Sequence, residues 1–296
     1  MPVTLSPSQA RRVVQSVQTK KRLSIKDEFQ KMRDLYPSRV GTKANFLIIG
    51  PHGSGKTFGM QFAPGPVLIH SFDSGGLRCI EDDQISSGRI IPITEFEGDT
   101  VVAPFAYRAW EKEFYRLSNG GLFDAIGTYV IDSFTSFAQS LMNEILKARS
   151  RKPPMIAQLG KDPDIVPELG DYNVHQKTLA HNLAQIMSIP CNVVVIAHLN
   201  IDKDDTTGRL YSSVMMDGKK FAQTVPTLFD EVYFADTKGV PPNLQYVYRL
   251  VPKSYYPARS RLRKSGKILG AEEVQNLARI LEKSGYPFED KDLYTT

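Results

Sequence analysis

A chain of 296 residues, 41% hydrophobic and 23% charged, has material for one large α/β domain or for a core with a small appendage. None of its apolar runs approaches the ~18 residues of a membrane span, and Met1-Pro2-Val3-Thr4-Leu5-Ser6 lacks the long apolar centre of a secretion signal. The net charge of +5 is mild, and Cys79 and Cys191 are far apart, so both read as free thiols of a reducing compartment, with the cytoplasm as the expected location.

Residues 1–43 carry ten Lys and Arg against Asp27, Glu28 and Asp34. Within them, residues 7–36 read as one or two basic amphipathic helices with Val13, Val14, Val17, Leu23, Phe29, Met32 and Leu35 on the apolar faces. The run Phe46-Leu47-Ile48-Ile49 then has the form of a short buried strand. It leads straight into Gly50-Pro51-His52-Gly53-Ser54-Gly55-Lys56-Thr57, which fits G-x-x-x-x-G-K-[ST] without a mismatch.

Each part of that stretch has a physical job. Gly50, Gly53 and Gly55 let the backbone take positive φ and bring amide N–H groups close to a polyphosphate. A helix expected to begin near Gly55 points its positive dipole end at the same anion. Lys56 can reach the β- and γ-phosphates, and Thr57 can place its hydroxyl on Mg²⁺. With Phe58 behind it, the whole segment from Gly50 is the expected binding site of a nucleoside triphosphate.

After the break Pro64-Gly65-Pro66, Val67-Leu68-Ile69 starts a second strand, and Arg89 to Ile93 offers a third. Ala106 to Leu117 looks helical and is ended by Asn119-Gly120-Gly121. Thr128-Tyr129-Val130-Ile131 is a strand closed by Asp132-Ser133, and a helix follows from about Thr135 to Ala148. The Pro-rich stretch 151–170 predicts a long loop. A helix over Tyr172–Met187 precedes the buried strand Asn192 to Ala197, and residues 199–218 read as polar and flexible. Later strands fall at Glu231 to Phe234 and Tyr246 to Val251.

This alternation predicts an α/β fold with a mainly parallel twisted sheet covered by helices on both faces. The expected organisation is a basic N-terminal helical segment over 1–43, a core over 44–270, and a C-terminal helix and tail over 271–296.

A triphosphate-hydrolysing site also needs a carboxylate for the metal, a base or water-orienting group, and a positive charge for the transition state. Asp132, at the end of an apolar strand, has the form of the metal-side acid. Asp73 is the only carboxylate in Ser71 to Gly76 and is the candidate base, though an Asx-turn residue would look the same. His198 ends its strand and should emerge at the carboxyl edge of the sheet, where ligands of open α/β sheets collect. The other histidines, His52 included, have no metal-ligand spacing with cysteine or one another. Arg259 and Arg261 fall in a run from Thr237 to Ala271 with eight cations and no acid. Such a stripe suits a polyanion or serves solubility. Its two arginines could also act as fingers on a neighbouring subunit.

Taken in order, Gly50 to Thr57, Asp73-Ser74-Gly75-Gly76, Tyr129 to Thr135, Asn192 to His198 and Ala258-Arg259-Ser260-Arg261 resemble the motifs of RecA-like P-loop ATPases, and among them the compact phage nucleotide-binding proteins that include single-strand-annealing ATPases. The resemblance spans roughly residues 44–263. It implies a RecA-type core, ATP with Mg²⁺, a homo-oligomeric ring or filament, and action on single-stranded DNA in recombination or annealing. For a phage-encoded chain the location becomes the host cytoplasm.

The same resemblance implies that the loop after His198 faces DNA. There Lys203, Arg209, Tyr211, Lys219 and Lys220 supply cations and one aromatic, opposed by Asp202, Asp204 and Asp205. One departure stands out: many relatives have a glutamate directly before the glycine pair, where this chain has Ser74. A nucleotide kinase would need clustered lid arginines, and 151–170 has only Arg151, Lys152 and Lys161. A GTPase switch would need an Asn-Lys-x-Asp reader, which is absent from the sequence. The alternative that remains is an ATP-gated assembly factor, such as a helicase loader or packaging component.

Overall fold

The computed structural model describes residues 25–35, 42–149, 167–203, 207–208, 210–253, 255–266 and 268–292. The expectations for residues 7–24 and for the loop 151–166 lie outside them, as does Arg209. The chain divides into two units, Met1–Thr42 and Lys43–Thr296.

In the first unit the described element is the helix Ile25–Leu35. Asp27 and Glu28 in its first turn and Arg33 in its last oppose the helix dipole favourably. Phe29, Met32 and Leu35 form an apolar stripe at i, i+3 spacing, and all three are exposed.

The second unit is built on one sheet. Its strands are β1 (Asn45–Gly50), β2 (Val67–Ser71), β3 (Ile90–Ile93), β4 (Thr128–Asp132), β5 (Asn192–Lys203), β6 (Leu210–Val214), β7 (Glu231–Lys238), β8 (Gln245–Arg249), β9 (Arg259–Ser260) and β10 (Glu272–Val274). They lie in the order β10-β8-β7-β1-β5-β4-β2-β3, with β6 attached to β5 and β9 to β7. From β7 to β3 every neighbouring pair is parallel. The β8 and β10 flank is antiparallel.

Parallel strands are covered on both faces, so they read as continuous apolar runs. Phe46, Leu47, Ile48 and Ile49 of β1 are fully buried, each worth ~1.5–3 kcal/mol relative to exposure. Alternation sends Leu47 and Ile49 to one face, where the helices Ala106–Asn119, Phe134–Arg149 and Leu169–Ser188 supply Trp110, Phe137 and Leu183. Phe46 and Ile48 face the other side, against Met60, Tyr248 and the helix Leu277–Ser284. A hydrogen-bonded chain from Trp110 Nε1 through the Tyr129 hydroxyl to His70 Nδ1 crosses the first core. Burial holds His70 neutral, with its pKa pushed down to about 3.

Two local expectations are corrected. No long helix follows the phosphate loop: Phe58–Phe62 is a single 3₁₀ stretch. Ala63 takes φ −85°, ψ 156°, the extended conformation that a following proline imposes, and here that proline is Pro64. The segment after His198 is also not an open loop. Strand β5 runs on to Lys203 and pairs antiparallel with β6, making a hairpin beyond the carboxyl edge of the parallel sheet. A helix over Lys219–Leu228 follows it.

Candidate active site

The sheet register gathers the site. Gly50 lies beside His198 on β1 and β5, and Ser71 beside Asp132 on β2 and β4. Gly50, Ser71 and Asp132 end their strands, His198 lies level with Gly50 at the carboxyl edge of the parallel sheet, and the segments leaving that edge enclose a cleft of about 570 Å³. Its lining includes His52 to Phe58, Asp73, Asp132 and His198.

In the phosphate loop Gly53 and Gly55 have φ of +75° and +81°, which only glycine adopts without strain. Gly55 has a second constraint, because an added Cβ would fall 2.6 Å from Tyr246 Cδ1. The loop is backed from behind by Gln275, whose Nε2 donates to Ser54 O at 2.7 Å and Val247 O at 3.1 Å. Lys56 Nζ donates to the carbonyls of Gly50 and Pro51 at 2.9 and 2.8 Å. Burial lowers its pKa, against the attraction of Asp132 and Asp73.

Thr57 Oγ1 donates to Asp132 Oδ2 at 2.6 Å. Asp132 is 5% exposed. Burial pushes its pKa up to about 6, Asp73 adds to the rise, and the Thr57 hydrogen bond and Lys56 oppose it. A hydroxyl and a carboxylate held this close, in a buried place with few other partners, have the donor set of a hard cation that takes oxygen ligands. Among the described residues no group of three or more His, Cys, Asp or Glu could hold a metal, so a cation here would draw its remaining ligands from phosphate and water.

Both carboxylate oxygens of Asp73 have partners, with acceptor capacity left on Oδ2. Its Oδ1 accepts from Ser133 Oγ at 3.1 Å and from Ser136 Oγ, and its Oδ2 meets His198 Nε2 at 3.0 Å. Burial pushes this carboxyl up, yet the bonds from His198, Ser136 and Ser133 together hold it below the usual range. His198 stacks near His52, ring centroids 4.8 Å apart. Its backbone carbonyl accepts from Met215 N at 2.9 Å, which ties the cleft to the hairpin.

Residues 42–262 match the model of a protein family described as an AAA domain. The chain belongs to that family. As an AAA domain with a phosphate loop leaving β1, it is a P-loop ATPase domain of α/β fold with a mostly parallel central sheet. Among solved structures it is similar to a KaiC-like protein, PH0186, from Pyrococcus horikoshii OT3, at 13% identity over 71% of this chain and 79% of that one, with a TM-score of 0.36. No curated protein matches.

The remaining expected residues of this AAA domain lie elsewhere. Arg259 pairs with Val232 at the start of β7. Val232 is level with Leu47 of β1, three residues before Gly50, or roughly 10 Å at 3.3 Å per residue. Arg259 Nη2 donates to the carbonyls of Phe229, Pro226 and Thr227, closing the end of the helix Lys219–Leu228. Arg261 pairs with Asp230 at 2.5 Å and stays 63% exposed. Neither belongs to the chain's own cleft lining.

At the hairpin, Lys219 pairs with Asp202 at 2.9 Å and lies 5.7 Å over the Tyr211 ring. The Tyr211 hydroxyl donates to the same Asp202 at 3.2 Å. Part of the basic run is answered in the same way, since Lys238 and Arg249 meet Glu272 and Arg249 meets Asp236, whereas Arg263 donates to the carbonyls of Leu269 and Gly270. Cys79 and Cys191 are free thiols as expected. Among the described residues no helix is long and apolar enough to cross a membrane.

Sequence reasoning missed Tyr246, Gln275, Ser133 and Ser136. Ser133 had a visible signal, since it follows the metal-side acid directly. Tyr246 and Gln275 had none, because their approach to Gly55 depends on β8 and β10 folding back along the outer side of β7, which itself lies beside β1.

Proposed function

We propose that this chain binds ATP with Mg²⁺ and hydrolyses it, and that it works as a homo-oligomer on single-stranded DNA in phage-type recombination or strand annealing. The observation that carries the ATPase half is the Thr57–Asp132 pair at 2.6 Å beside Lys56.

The residues fit the ligands. Amides of Gly53 to Lys56 and the Lys56 ammonium bind the polyphosphate, with phosphate oxygens replacing the Gly50 and Pro51 carbonyls as partners of Nζ. Thr57 and ionised Asp132 hold the magnesium side. Mg²⁺ supplies charge neutralisation on the phosphate oxygens when bound. Asp73, kept ionised by Ser133, Ser136 and His198, orients water from the opposite wall, and His198 carries the state of that wall to the hairpin. Arg259 and Arg261 lie at the far edge of the sheet, so their role in turnover is in trans, on a neighbour's cleft.

The DNA half is supported by the sequence resemblance and by the hairpin's place next to His198. Against it stands the neutralisation of Lys219 by Asp202. That observation favours a second reading, an ATP-gated assembly factor such as a helicase loader or packaging component acting from the cytoplasm.

The test is ATP turnover with and without single-stranded DNA for wild type, Lys56→Ala and Arg261→Ala. DNA stimulation, together with strand annealing by the wild type, supports the first reading. ATP turnover with neither leaves the second. Mixing the two variants restores part of the activity if the arginine crosses an interface, since one subunit then offers an intact cleft and the other an intact finger.

A further inference from the structure

The cleft has an aromatic wall that neither the phosphates nor the metal would use. Phe58 directly follows Thr57, and Tyr246 on β8 lies across from Gly55. Their ring centroids are 5.7 Å apart at 43°, and Phe62 meets Phe58 edge-on at 5.7 Å. Phe58 and Tyr246 both line the cleft and both are only half-buried.

An apolar, partly exposed wall inside an otherwise polar anion site needs a reason, because exposed aromatic surface costs free energy in water. An aromatic pair in contact holds its centroids ~4.5–7 Å apart. Phe58 and Tyr246 therefore already touch, and nothing flat fits between them. A planar ligand can lie only on the open side of the pair.

The distance between this wall and the phosphate loop is fixed. Tyr246 Cδ1 stands where a side chain on Gly55 would be, and Gln275 clamps Ser54 to β8 through Val247. A molecule with a polyanionic end and a flat π-face at the other matches such an arrangement.

We infer that Phe58 and Tyr246 form the nucleobase subsite of this cleft, with the base stacked on the open side of the pair. The inference rests on the phosphate-loop reading above and adds what recognises the other end of the nucleotide. It also sets specificity. Stacking reads ring area and is tolerant of base identity. The cleft's carboxylates are engaged by Thr57, Ser133, Ser136 and His198 rather than held free for a base edge. Purine triphosphates are therefore preferred over pyrimidine ones, and ATP and GTP bind within a few-fold of each other.

Calorimetric titration of the full chain with ATP, GTP, CTP and inorganic tripolyphosphate tests this. Tyr246→Ala and Phe58→Ala should each weaken ATP binding by about tenfold, from the usual worth of one base–aromatic stack, while tripolyphosphate affinity stays within twofold. Tyr246→Phe, which keeps the ring, should recover ATP affinity. Lys56→Ala should weaken both ligands.

ATP and tripolyphosphate falling together in the Tyr246→Ala protein would mean that the ring only props the loop, and would overturn the subsite. Wild-type ATP affinity in both alanine variants would do the same while leaving the phosphate loop intact. Equal binding of CTP and ATP by the wild type would remove the stacking argument. Lys56→Ala with undiminished affinity for both ligands would instead sink the underlying reading. Should Tyr246→Ala fail to fold, Phe58→Ala, at a half-exposed position, decides the matter alone.

Discussion

Lys56 in the cleft and Lys219 at the hairpin are both cations beside the carboxyl edge of one sheet, yet the fold treats them oppositely. Lys56 is buried and its hydrogen-bond partners are the carbonyls of Gly50 and Pro51, which are dipoles without net charge. Lys219 is exposed and meets the carboxylate of Asp202, which also accepts from Tyr211. Carbonyl partners orient an ammonium and leave its charge available to an anion. A carboxylate partner neutralises it. A count of basic residues therefore says little about polyanion binding until each cation's partner is known.

The strongest way to break this comparison is Lys56→Ala. Turnover should fall by at least about 100-fold, as for loss of one preorganised donor at a transition-state charge, with circular dichroism unchanged. ATP hydrolysis near the wild-type rate would mean that the lysine's charge is not what the cleft offers.

Asp132→Asn comes next. It keeps a partner for the Thr57 hydroxyl but removes the charge, so the Mg²⁺ concentration for half-maximal turnover should rise by about 10–100-fold. An unchanged magnesium titration would move the metal away from Thr57.

A smaller change sharpens the hairpin side. Asp202→Asn releases Lys219, and single-stranded DNA affinity at low salt should rise. The dependence of log affinity on log salt should steepen by about 0.7 for one added phosphate contact. No change in slope, read by fluorescence anisotropy, would take the hairpin out of any DNA path.

The smallest effect is on stability, at the start of β7. Glu231 is fully buried, and burial raises its pKa above the ordinary value of 4.5 despite bonds from Tyr233 and from the amides of Arg261 and Leu262. Its ionised form thus costs stability above the native pKa, and that cost fades as pH falls toward 4.5. Glu231→Gln can still accept from both amides and can donate to Tyr233. Its Tm should exceed the wild type's by a few degrees at pH 8 and converge with it near pH 4.5. A constant difference across that range would mean that ionisation of Glu231 is not involved.

The parallel strands and the phosphate loop were legible because their signals are local. Buried strands read as β-branched runs, and Gly53, Gly55, Lys56 and Thr57 declare themselves by spacing. The short 3₁₀ stretch after Thr57 has its cause in the chain as well: Pro64 sits close enough to stop a helix after Phe62. The pairing of 199–203 with 210–214 is not legible in the sequence, because polar residues such as Asn200, Asp202 and Ser212 look like a loop until a partner strand fills their backbone hydrogen bonds.

What the amino-acid order alone determined is the α/β class, the phosphate loop and the acid at the end of β4, since each depends on residues adjacent along the chain. Only the tertiary structure decided that Asp73 is gripped by Ser133, Ser136 and His198, that Arg259 and Arg261 stand at the far edge, and that Tyr246 and Gln275 back the loop. These are contacts between residues from about 30 to more than 200 positions apart. Sheet order brings them together, and no local pattern in the sequence encodes sheet order.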